Sequence, residues 1–461
     1  MNNPVTARVA RFIVEADPGR LPEELHETAR RLIYDNLAVA VAGSRSPAGR
    51  IVQEHIRQLG ATGHAAVLGT SLRAPASLAA LANGTAAHAD DYDDTQIASL
   101  PDRVTGLLTH PTTPVLSAAL ACALTSGATG QQLLEAYEVG VEVACKLAEA
   151  IHPQHYQKGF HSTGTLGAFG AFAAAARLLQ LDEAQVVRGL GIVASLASGL
   201  RGNFGTMTKP LHAGRAAENG VVAAQLARRG FTATPDVLDS EWGFFAIMGG
   251  GFDREYLEQR LGNPFQLQHP GVAIKPYPCG SLAHPTMDAV RDLVLTHDVR
   301  PEQVERVEVG VTRYIRQPLR YQRPQTELQA KFSLEFAVAI MVLERQAGIH
   351  QYTDEVVQSA RVQEFLERVH VYVDPAMEAR GYDKMHSVVR ILLKDGRRLE
   401  QEAQLARGYP QRPFTREDHL AKFEECARGV LPAGSAQRVW EKVMALPRLR
   451  DLQELVSLLV A

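Results

Sequence analysis

The sequence predicts a mostly α protein. A large all-helical domain is formed by residues 1–268 and 406–461, and a smaller α+β domain, 269–405, is inserted into it. Three observations carry this expectation. Up to about residue 265, apolar side chains recur at helical spacing in one segment after another. Past Pro270 the pattern shifts to short, Val-rich alternating runs, the mark of half-buried strands. From Phe414 the helical spacing returns, so the first domain resumes after the insertion. At 461 residues the chain exceeds one ordinary core. An aromatic content of 6% with abundant alanine favours closely packed helices over a large sheet.

Each element has a local reason. Leu21-Pro22-Glu23-Glu24 opens a helix, with proline early and acids in the first turn, and Leu32, Ile33, Leu37 and Val39 continue it to Gly43. Residues 112–134 carry no charge, but Pro114, Gly127 and Gly130 divide them into soluble helices, not a membrane span. Helical spacing continues over 131–150 and 182–196, and Asp182 with Gln185 forms a box-like N-terminal cap. Residues 163–179 are rich in Gly and Ala, which suggests close approach of a neighbouring backbone or ligand. In the inserted part, 304–311 and 369–373 read as strands, 327–345 and 354–368 as helices, and 388–397 as a hairpin turning on Asp395-Gly396.

Composition narrows the function. A net charge of −3 gives no basic footprint for nucleic acid or an anionic membrane. The first residues lack a basic-then-apolar signal layout. Cys122, Cys145, Cys279 and Cys426 lie far apart, as in a reduced cytoplasmic protein, and their spacing does not suit an iron–sulfur cluster. No H-E-x-x-H, phosphate-binding loop or dinucleotide fingerprint is present, so cofactor-free chemistry is the expectation.

The densest polar feature is His88-Ala89-Asp90-Asp91-Tyr92-Asp93-Asp94-Thr95, four carboxylates in five positions behind an Ala-rich segment. If that helix continues, His88, Asp91 and Thr95 share one side, and Asp90, Asp93 and Asp94 fall towards another. Crowded carboxylates raise one another's pKa, which can keep one able to donate a proton. The alternative is a helix end whose acids cap or pair with Arg and Lys. Lys209-Pro210 and Lys275-Pro276 place each lysine before a proline, where extended backbone is expected. A helix starting after Pro210, with Lys209 beside it, makes a carboxylate pocket; the alternative is two exposed lysines. His161 is a candidate acid/base or a helix cap, and His110-Pro111 repeats the pre-proline theme. No carboxylate lies at ligand spacing among His152, His155 and His161, so no metal is expected there. Cys279 reads as packed.

Taken together, His88 to Thr95, Gly159 to Gly167, Gly205 to Gly214, Lys275 to Pro285 and Ala330-Lys331-Phe332-Ser333 resemble the MmgE/PrpD family, in the family's order. That family includes 2-methylcitrate dehydratases, cis-aconitate decarboxylases and iminodisuccinate epimerases. The resemblance implies an all-α domain with a smaller α+β lid, a homodimer, and a metal-free pocket between the domains. It matches Asp91 and Thr95 to pocket residues, and His161, Lys209 and Lys275 to a histidine and two lysines. His110 matches a further histidine across a longer interval that holds Asp102-Arg103, and a pocket tyrosine falls at Tyr321 or Tyr314. Two departures remove positive charge: Pro210 follows Lys209, and Gly280-Ser281 follow Cys279. The implied activity is proton movement next to a carboxylate of a small di- or tricarboxylic acid. Dehydration or decarboxylation comes first, epimerisation is the alternative, and a non-catalytic carboxylate binder is a further one.

Overall fold

The computed structural model describes residues 4–100, 109–381 and 385–460. Asp102 and Arg103 lie outside them. Most described residues are helical, and the sheets are small. Among the described residues, no helix is long and apolar enough to cross a membrane.

The helices begin where local chemistry predicts. Glu23–Gly43 starts directly after Pro22. Gly130–Ala150 and Glu183–Leu196 are both opened by reciprocal capping boxes, Thr129 with Gln132 and Asp182 with Gln185. Ser162–Leu178 packs across Gly130–Ala150 at a point where both present glycine. A Cβ on Gly170 would come within 2.6 Å of the Gly140 carbonyl oxygen. The Gly/Ala-rich stretch thus serves backbone contact between helices.

Two hydrophobic clusters organise the chain. The larger joins residues from Val5 to Ile274 with residues from Phe414 to Leu459. The other runs from Tyr277 to Ala403. In it a four-stranded sheet has the order Val369–Val373, Val304–Val311, Ser387–Leu393, Arg398–Ala403, the first pair parallel and the others antiparallel. The hairpin between the last two strands turns at Gly396, where φ is 89°. Helices His284–Thr296 and Leu334–Glu344 pack in the same cluster.

Several elements differ from the sequence expectation. Residues 327–345 form two helices, Glu327–Ala330 and Leu334–Glu344, because Ser333 caps the second afresh through the Phe336 amide. Ser359 likewise divides 354–368 into Asp354–Gln358 and Ala360–Leu366. The acid run is not helical. Helix Ala76–Ala87 ends at His88, and Asp91 adopts a left-handed φ of 51°. The chain then extends into strand Asp94–Gln96, which pairs antiparallel with Val272–Ile274. Lys209 is not in extended backbone either. It lies in the first turn of helix Thr208–Arg228, where Pro210 costs little because first-turn amides have no intrahelical acceptor.

Candidate active site

The site is assembled by two contacts between distant segments. Helices Ala76–Ala87 and Thr208–Arg228 meet at Gly84 and Gly214, and a Cβ on Gly214 would fall 2.2 Å from Thr85 Oγ1. This close approach brings His88, just past one helix, against Lys209 at the start of the other: Lys209 Nζ lies 2.8 Å from His88 Nε2. The second contact is the ladder of Asp94–Gln96 with Val272–Ile274. Lys275 follows that strand, and its amide donates to the Asp93 carbonyl at 3.2 Å.

Both ammonium groups converge on Asp91. Lys209 Nζ and Lys275 Nζ reach Asp91 Oδ1 at 2.8 and 2.6 Å, and Lys275 also donates to the Asp91 carbonyl at 3.0 Å. The lysines are buried, 4% and 1% exposed, so neither is an ordinary surface lysine. Burial alone raises the Asp91 pKa, but the two lysines outweigh it and hold the carboxyl well below its usual range. Burial lowers the pKa of Lys209, against the pull of Asp91.

Three imidazoles surround this centre. The rings of His88 and His110 are 4.7 Å apart, and those of His88 and His161 are 5.8 Å apart. His110 Nδ1 is 2.5 Å from the Asp94 carbonyl, so it carries the proton and donates. Its Nε2, 3.9 Å from Asp91 Oδ1, is left as an acceptor. His88 Nδ1 donates to Asp93 Oδ2 at 2.8 Å, which leaves its Nε2 to accept from Lys209. Thr113 Oγ1 donates to the same Asp93 oxygen at 2.7 Å, and Asn36 donates to Thr113 at 2.8 Å. His161 stands at the N-cap position of its helix but makes no side-chain cap. Its Nδ1 is 3.1 Å from His212 Nδ1, and its buried Nε2 has no hydrogen-bond partner among the described residues. Burial first, then neighbouring lysines, push His110 and His161 well below the usual histidine range, so both are neutral at pH 7. Burial and the Asp93 carboxylate push Asp94 up to about 8.

Asp91, His110, Lys209 and Lys275 line a cleft together with Phe204 and Tyr156 from the larger cluster's side. Ser281, Leu319 and Phe332 close it from the other side. The Lys209 ammonium lies 5.5 and 5.4 Å from the ring centres of Phe204 and Phe332.

The N-terminal MmgE/PrpD domain model matches residues 7–257, and the C-terminal one matches residues 277–447. This chain belongs to the MmgE/PrpD family. It is similar to the cis-aconitate decarboxylase of Homo sapiens, 27% identical over 468 residues that cover 99% of this chain and 94% of the relative. The cis-aconitate decarboxylase of Mus musculus is also 27% identical, over 99% of this chain and 93% of the relative. That of Aspergillus terreus is 24% identical, over 99% and 96%.

Against the sequence expectation for this family member, Asp91, His110, His161, Lys209 and Lys275 lie in one region. Thr95 is in the pairing strand, with a buried hydroxyl that has no hydrogen-bond partner among the described residues. Neither candidate tyrosine lines the cleft. The Tyr321 hydroxyl stands behind Phe204, donating to its carbonyl at 3.4 Å, and Tyr314 lies in a neighbouring hollow beside Tyr156 and Arg201. The lining tyrosine is Tyr156, stacked under the Arg201 guanidinium at 3.7 Å. His88, His212 and Lys331, which binds Asp90 Oδ1 at 3.0 Å, also belong to this region and are not singled out by the sequence as site residues. His88 lies within the acid run, where its spacing predicts only a helix face. His212 carried no separate signal. Cys279 is packed, 3.6 Å from the Met287 sulfur, and burial raises its thiol to about 12.

His88, Asp91, Asp93 and His110 place four donor atoms within 4.8 Å of one another, a spacing that suits a metal ion. Those donors are already engaged, however: His88 by Asp93 and Lys209, and Asp91 Oδ1 by two ammonium groups. A divalent cation there must displace a lysine or stand against it, so the set does not fit one while the lysines stay charged.

Proposed function

We propose that this protein is a lyase that decarboxylates or dehydrates a small unsaturated or hydroxylated polycarboxylic acid, with cis-aconitate the first substrate to test. The carrying observation is the buried Asp91 carboxylate held between two ammonium groups beside neutral imidazoles. The cis-aconitate decarboxylases that match over nearly the whole chain support the substrate class.

The chemistry follows from charge. A substrate carboxylate entering the cleft is neutralised by Lys209 and Lys275, which also stabilise negative charge as it grows on an enolate-like intermediate. In decarboxylation, the carbon–carbon bond to the departing carboxylate breaks as CO2 leaves. The electron pair moves into the remaining conjugated acid, and an imidazole N–H gives its proton to carbon. Solvent restores that proton. In dehydration, an imidazole takes the proton beside the carboxylate and hydroxide departs as water. His110 presents a free Nε2 and is the base. His161 takes either role, since its bond to His212 admits two tautomers that exchange N–H and lone pair at Nε2.

Residues 269–405 act as the lid that excludes water, through Ser281, Leu319 and Phe332, and two copies form the working homodimer that the family resemblance implies. Epimerisation is the second reading, favoured by Lys209-Pro210, which lacks the second basic residue of dehydratase-like members. A panel of cis-aconitate, methylcitrate, citrate and iminodisuccinate in chelated buffer tests the proposal. New alkene or CO2 identifies the lyase, whereas changed optical rotation alone identifies an epimerase. No turnover and no solvent deuterium entering any of these acids would leave a binding protein and end the lyase reading.

A further inference from the structure

A second cleft, of about 520 Å³, opens between the two clusters and shares no lining residue with the first. Its size is that of a small-molecule site. One wall is the face of helix Arg416–Ala427 that carries Asp418, Lys422 and Glu425, followed by Arg428. The other wall comes from the Tyr277–Ala403 side: Arg291, Arg345 and the loop to Gln351, with Arg407 at the return. Five cationic side chains thus stand against two carboxylates in the lining.

Three of the five cations are already engaged: Arg345 donates to Asp298 at 2.7 Å, Arg407 to Asp288 at 3.5 Å, and Lys422 to Asp35 at 3.0 Å. The guanidinium groups of Arg291 and Arg428 have no hydrogen bond or ion pair among the described residues, and they stand on opposite walls. Two unpaired forks across a cavity are suited to a ligand with an anionic group at each end.

The floor of this cleft is the back of the first. Tyr92 and Pro276 follow Asp91 and Lys275 directly, and the Tyr92 hydroxyl donates to the Pro276 carbonyl at 3.4 Å. Beneath them Lys422 Nζ holds the carbonyls of Tyr92 and Lys275 at 2.7 and 3.0 Å.

We propose that this cleft binds a small anion carrying two or more phosphate or carboxylate groups, which bridges Arg291 and Arg428 and clamps the two clusters together behind Asp91 and Lys275. The binding claim does not draw on the lyase reading.

The test is calorimetric titration of the full chain with inorganic pyrophosphate in chelated buffer. Wild type and Lys209→Ala bind one pyrophosphate per chain with similar affinity. An Arg291→Ser/Arg428→Ser double variant binds at least about tenfold more weakly, the loss expected when charge-assisted contacts are removed. An Arg291→Lys/Arg428→Lys variant, which keeps the charge and loses the fork, binds with an affinity between wild type and the double serine variant, which separates lost charge from lost folding. Citrate in place of pyrophosphate distinguishes the two sources, and the tighter ligand names the group. The proposal is overturned by absence of saturable binding to wild type. It is equally overturned by binding that survives Arg291→Ser/Arg428→Ser, or by binding that disappears with Lys209→Ala and so belongs to the first cleft.

Discussion

Replacing Asp91 by Asn removes one negative charge from between two buried ammonium groups and changes almost nothing else. Asn has the same shape as Asp and tolerates the left-handed φ of 51° at this position, so backbone strain does not enter. Losing one partner of a buried ion pair costs about 3–5 kcal/mol. A second route gives a similar ceiling. Lys209, whose pKa burial already lowers, can escape by losing its proton. Neutralising a lysine of reference pKa about 10.4 at pH 7 costs about 4.6 kcal/mol, at 1.36 kcal/mol per unit. The folded-state pKa of such a lysine lies below its unfolded value, so the unfolded chain holds more protons and stability recovers as pH rises. At pH 9 the deficit shrinks to about 2 kcal/mol. Urea unfolding of wild type and Asp91→Asn at both pH values measures this. Adding Lys209→Met to Asp91→Asn removes the stranded charge and restores most of the loss. A single variant within about 1 kcal/mol of wild type at pH 7, or a deficit indifferent to pH, would refute the reasoning.

Other outcomes follow from the same geometry. Lys209→Ala and His161→Ala each lower turnover on the competent substrate by ~10²–10⁴-fold, and near wild-type turnover removes that residue from the mechanism. Burial holds His110 and His161 below the usual value of 6.5, so their neutral forms add stability above pH 6.5 that is lost as pH falls towards their folded values. The unfolding free energy therefore declines on acidification below pH 6.5, and His161→Gln flattens that decline. Asp94, pushed up to about 8, is protonated at pH 7, so Asp94→Asn costs less than about 1 kcal/mol in urea, whereas Asp93→Asn, which removes the charge on the acceptor shared by His88 and Thr113, costs more. Gly214→Ala overpacks the contact with Thr85 and destabilises by about 1–3 kcal/mol, with turnover falling as Lys209 shifts from His88.

The capping boxes at Thr129 and Asp182 and the Asp395-Gly396 hairpin were legible in the sequence, because each depends on residues within a few positions. The candidate residues of the site were legible too, from motif resemblance, but their backbone was not. The run from His88 looked like a continuing helix because its true partners, Lys209, Val272–Ile274 and Lys275, lie more than a hundred residues away. Those partners favour a turn and a short strand over local propensity. Lys209 misled for the opposite reason: the rule for residues before proline weakens in a helix's first turn, and only the contact with Gly84 fixes where that turn begins. Tyr156 could not have been chosen over Tyr321 or Tyr314, since which of them reaches the cleft depends on Phe204 filling the space in front of Tyr321.

The larger hydrophobic cluster needs residues beyond Phe414 to be complete, and Lys422 from that last stretch holds the carbonyl of Lys275. A ribosome making this chain has therefore released everything up to that stretch before the cluster can close and the Lys275 carbonyl gains its brace. The stretch between Tyr277 and Ala403 has its own cluster and is free to fold earlier, so the smaller body is ready while the larger one still waits for the helices beyond Phe414.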